Sequence, residues 1–210
     1  MAEQAPKDRD SDNRIGNHGN MPGMIPFIRP LMIVAIPVTA LALGVDDAGP
    51  LLLPAAPAAC LTSGDGYLHA HLAGALEANI DWPNSGTHCE GESRDKPPGI
   101  RLSFKRVPSA SPDLLFVFGI NGIHPGRPAR AVGVNLTVIV QGANRIFGTL
   151  GDSRCTVDTL KQKALPVKGS YRIEARGFCT QPAHAVRGDG DLLVSTFEFA
   201  GPVTYEAAKN

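Results

Sequence analysis

The chain has 210 residues, of which 43% are hydrophobic and 19% charged, so it can bury a core and does not have the composition of a disordered protein. Twenty basic side chains balance twenty acidic ones, which excludes the basic footprint of a nucleic-acid binder and gives no attraction to an anionic membrane. Glycine (23) and proline (18) are both abundant, favouring short strands and many turns over long helices.

Residues 1–23 are polar, without apolar period, and read as a disordered N-terminus. From Met24 the chain becomes apolar, with Arg29 as a short positive region. Leu31–Leu43 is an uncharged run, and Ala40-Leu41-Ala42 offers a small-x-small cleavage site. This is the layout of a secretory signal over residues 24–42, with Met21 or Met24 as the expected start. As a helix the run would span roughly 20 Å, short of the ~30 Å hydrocarbon core, and Pro37 interrupts it, so no stable transmembrane anchor is expected after processing. The expected location is periplasmic or secreted. A lipoprotein anchored at Cys60, after Pro57-Ala58-Ala59, is the minor alternative. With the signal removed, acidic and basic residues still balance.

Residues 43–59 form an Ala/Pro-rich linker, and residues 60–210 are read as one β domain. Short apolar runs between turn signals place strands at Tyr67–Trp82 (bent at Gly74), Ile100–Phe104, Leu114–Ile120, Ala131–Gln141, Arg145–Leu150, Arg154–Leu160, Tyr171–Cys179 and Leu192–Phe199. Leu114–Ile120 reads as buried on both faces, and Leu160–Leu165 as one helical turn. Eight strands with intervening turns predict an all-β fold, a single antiparallel β-sandwich with a barrel as the alternative.

The four cysteines include no CxxC pair and, behind an export signal, predict two disulfides. Opposed residues of an antiparallel pair have a constant index sum. Pairing Cys155 with Cys179 centres a hairpin on Pro166–Gly169, sets Asp158 opposite Arg176, and puts Cys155, Val157, Ile173, Ala175 and Cys179 on one face. Asp158, Glu174 and Arg176 then fall on the other. Cys60 and Cys89 are left to each other, tying the start of the domain to the loop after Trp82.

No nucleophile elbow, zinc-protease helix or phosphate-binding loop is present, so no catalytic residue is assigned and no cofactor is implied. His69 and His71, two apart on one strand, share a face and could reach one metal, with His88, His124, Glu77 or Glu90 as a third ligand. The loop Asn121–Arg130 carries His124, Arg127 and Arg130 between two apolar strands and is the candidate ligand-binding loop. Asp189-Gly190-Asp191 reads as a tight turn rather than a calcium loop. These features predict an exported, non-enzymatic binding or structural domain with an envelope or extracellular partner. The rivals are a metal-dependent or hydrolytic exported enzyme using His69 and His71, and a barrel-shaped carrier of an apolar ligand.

Overall fold

A computed structural model describes residues 58–205. The signal segment, its cleavage site and most of the Ala/Pro-rich linker lie outside the described residues.

Within them the chain is all-β. Eleven strands run in order: β1 (Tyr67–Gly74), β2 (Ala78–Pro83), β3 (Thr87–Asp95), β4 (Pro98–Arg106), β5 (Leu114–Asn121), β6 (Ala129–Val140), β7 (Arg145–Gly148), β8 (Cys155–Ala164), β9 (Ser170–Cys179), β10 (Ala183–Arg187) and β11 (Asp191–Thr204). Every pairing is antiparallel except one parallel bridge, Thr204 to Glu92. One layer has the order β3-β4-β5-β6-β7-β10 and the other β2-β1-β11-β9-β8. The layers share long strands at their margins. The first half of β6 pairs with β8 and its second half with β7, while β11 starts against β10 and ends against β3. Strands that switch sheets in this way make the corners of a β-sandwich.

Alternation drives the packing. Ile100, Leu102 and Phe104 from β4, Leu114, Phe116 and Phe118 from β5, and Leu68 and Leu72 from β1 point inward and are buried. Rings from the two layers meet in the middle: Phe118 lies 4.7 Å from Phe199 and 5.2 Å from Phe197, Phe104 lies 5.3 Å from Phe199, and Trp82 packs edge-on against Phe116 at 5.5 Å. Such tilted and edge contacts suit the ring quadrupoles, and each large side chain contributes about 1.5–3 kcal/mol by leaving water. These side chains pack the middle of the interior between the two layers.

The predicted hairpin is present. Cys155 faces Cys179 with Cα atoms 3.9 Å apart, and the two form a disulfide. Cys155, Val157, Ile173, Ala175 and Cys179 are all buried, whereas Asp158 and Arg176 are exposed and Glu174 half-buried. One detail differs. Asp158 is the extra residue of a β-bulge, so Thr159, not Asp158, stands opposite Arg176. The bulge shifts the alternation by one, which turns Leu160 into the core after Val157. Asp158 still reaches Arg176 at 3.3 Å.

Four expectations are corrected. The long first strand is two strands, because Gly74, at φ 99°, takes a conformation that side chains disfavour and turns the chain into a hairpin. Leu114–Ile120 is not buried on both faces, since Leu115 and Val117 are half-exposed. Leu160–Leu165 forms no helical turn, because residues through Ala164 continue β8 against β9. Cys89 does pair with Cys60, their Cα atoms 4.8 Å apart, but it sits in β3 rather than in a loop. The Asp189–Asp191 segment is the predicted tight turn, joining β10 to β11.

Candidate functional site

The outward side of β2-β1-β11-β9-β8 is where the predicted histidines fall. Side chains two apart share a face, and register aligns them across neighbouring strands. One transverse row reads Thr156, Phe178, Thr196, His71 and Asn79, each residue the direct partner of the next. The row beside it reads Arg130, Thr159, Arg176, Glu198, His69 and Asp81, crossing from β6 to β2. The bulged Asp158 inserts into this second row next to Arg176. At about 4.8 Å between strands, each row extends roughly 20 Å across the sheet.

Two adjoining depressions follow these rows. One, of about 580 Å3, is lined by His69, His71, Asn79, Arg176, Phe178 and Glu198 among others. Its neighbour includes Arg130, Lys161 and Glu174, and the two share Asp158, Arg176 and Glu198. Together they make one trough.

Two bulges shape it. Asp158 interrupts β8, and Ser195 is the extra residue of β11, since His71 faces Thr196 while Leu72 faces Val194. The second bulge explains why Leu192 and Val194 are buried before it and Phe197 and Phe199 after it. Each bulge strengthens the local twist and re-aims a polar side chain. The Ser195 hydroxyl lies 2.9 Å from His71 Nδ1.

Polar partners hold the trough's side chains. His69 Nε2 is 3.1 Å from the Asp81 carboxylate, and its ring stacks on Tyr67 at 4.8 Å. The Tyr67 hydroxyl donates to Glu198 at 3.1 Å. Burial, reinforced by the Glu198 charge, pushes the Tyr67 phenol up to about 12, so it is a protonated donor at neutral pH. Just outside the trough, Arg172 bridges Asp65 and Glu174, at 2.7 Å from each. A hydrogen bond from Ser63, helped by the Arg172 charge, holds the Asp65 carboxyl below its usual range.

The predicted site residues are thus partly brought together. His69 and His71 share a face, and Arg130 joins them at the far end of the same trough. His124 and Arg127 do not line it. Their backbone carbonyls accept hydrogen bonds from Gln162 Nε2, at 2.8 and 2.7 Å, which ties the loop to β8. Among the described residues no cluster of three or more His, Cys, Asp or Glu side chains is placed to hold a metal ion. His88, a suggested third ligand, instead lies 3.9 Å from Glu90 on β3. Phe178, Thr196 and Glu198 were not singled out from sequence. Their signal was an i, i+2 polar or exposed pattern within otherwise apolar strands, which every half-buried strand shows.

No family model, curated protein or solved structure matches this chain.

Proposed function

We propose that the protein is an exported, non-enzymatic binding domain whose ligand surface is the trough across β2-β1-β11-β9-β8. One observation carries the reading: two register-aligned rows of polar and aromatic side chains, with a β-bulge in each of two strands, line two adjoining depressions that share Asp158, Arg176 and Glu198. Bulges gather at sites where a sheet must re-aim side chains, and concave surfaces with a few placed polar groups are where ligands bind. Export follows from the signal-like segment at residues 24–42, and two disulfides suit an oxidising compartment. Engagement of Cys60 with Cys89 favours a freely diffusing form over a lipid anchor at Cys60.

Cell fractionation with N-terminal sequencing tests the first part: mature protein beginning near Leu43 outside the cytoplasm is expected, and an intact N-terminus on cytoplasmic protein refutes export. Amide-shift mapping tests the second. A panel of oligosaccharides, charged peptides and zinc or copper salts should yield saturable shifts at the trough strands. Stoichiometric metal lost on replacing His69 and His71 with Ala, together with hydrolytic turnover, would overturn the non-enzymatic reading.

A further inference from the structure

We infer that the trough takes an uncharged oligosaccharide. The inference rests on the trough being the binding surface and specifies what occupies it.

The first observation is electrostatic. The charged side chains lining the two depressions are three cations, Arg130, Lys161 and Arg176, and three anions, Asp158, Glu174 and Glu198. Two contacts join opposite charges among them, Asp158 with Arg176 at 3.3 Å and Lys161 with Glu174 at 4.0 Å. A surface that steers a charged ligand carries an excess of the opposite sign. Here the signs cancel. What remains are fixed donors and acceptors at close spacing, which is what a ligand covered in hydroxyl groups needs.

The second observation is Phe178. Its side chain stands on the outward face, 43% exposed, and its register neighbours are Thr156 on β8 and Thr196 on β11. Neither threonine is large enough to cover the ring. A partly exposed aromatic ring between two threonines is complementary to a pyranose, whose C–H face is apolar and whose rim bears hydroxyls. Asn79 lies at the far end of the same row with its amide as both donor and acceptor. A row extending roughly 20 Å has room for several linked sugar units, so a chain rather than a monosaccharide fits the length.

The test uses the purified protein with cello-, malto-, manno- and chitohexaose as probes, read by amide shifts and titration calorimetry. At least one should give saturable shifts at Arg176–Phe178 and Thr196–Glu198. Phe178→Ala should weaken that binding about three- to tenfold, and Phe178→Trp should retain it. Because Phe178 is on the surface, both variants should keep the parent's melting temperature. If no hexasaccharide binds, or if binding ignores Phe178→Ala, the inference is overturned. Trough shifts from a charged peptide but from no sugar would overturn this inference alone. No trough shifts from any ligand would overturn the binding surface as well.

Discussion

Replacing both Cys155 and Cys179 with Ala should lower the melting temperature by roughly 10 °C. The two cysteines are 24 residues apart, so their bond closes a loop of about 25 residues. In the chain-entropy model such a loop removes nearly 12 cal/mol/K from the unfolded chain, about 3.5 kcal/mol at room temperature. Unfolding entropy of about 2 cal/mol/K per residue, over about 150 residues, converts that into the stated shift. The bond joins directly opposed residues of adjacent strands, on the core face, in a hairpin that persists beyond it through Ala164 and Tyr171. Removing it leaves that pairing intact, so the loss should fall on the unfolded state. Calorimetry of parent and double variant, each checked for free thiols, measures it. The trough should still form, since Arg176 and Phe178 are held by β11 as well as by β8. A double variant melting within about 2 °C of the parent would refute the reasoning, because the bond would then restrain nothing that unfolding releases.

Three further perturbations probe other parts of the fold. Asn84→Ala removes the acceptor for the Leu61 and Gly66 amides, at 2.8 and 3.0 Å, and should cost about 1–3 kcal/mol, measured by urea unfolding. Retained stability in Asn84→Ala would show that this turn does not anchor the start of the domain. Gly177→Ala would drive a methyl into the Thr156 carbonyl and the Phe197 ring, so it should destabilise by several kcal/mol, more than Gly142→Ala, where the space is open and the cost is the backbone strain of a φ of 76°, about 1 kcal/mol. Equal melting temperatures for Gly177→Ala and Gly142→Ala would contradict that packing. Tyr67 and Tyr205 are both pushed up to about 12, chiefly by burial, above the ~10 of an unfolded chain. Their contribution to stability is therefore full below pH ~10 and lost as pH rises from there towards 12. Absorbance at 295 nm should show Tyr67 and Tyr205 still protonated at pH ~11 in folded protein; complete tyrosine ionisation by then would contradict their burial.

Local alternation was enough to mark most strands, because one face of each packs on the core and side chains repeat every two residues. It failed for β3 and β10. Thr87–Asp95 buries only Thr87 and Cys89, and its other residues are mostly charged, with Glu92 facing Arg101 on β4 at 3.7 Å. Ala183–Arg187 is five residues long and buries one. Neither has an apolar stripe to read; both are strands because neighbours supply hydrogen-bond partners.

The β8–β9 hairpin was legible for a different reason. Two cysteines, a turn and a charge pair all constrain one local index sum, so sequence alone could find the register. Even there the Asp158 bulge was invisible, since one extra residue changes the side chains' faces without changing their kinds. The trough lies further from reach. His69 and His71 were visible as a pair, but Arg130, Arg176, Phe178 and Glu198 come from strands far apart in the chain. What sets them side by side is the pairing of β11 with both β1 and β9, and the Ser195 bulge decides which residues of β11 face outward. Sequence determined which residues could share a face within a strand; only the long-range register, set by closing the core around its phenylalanines, decided which strands would present those faces together.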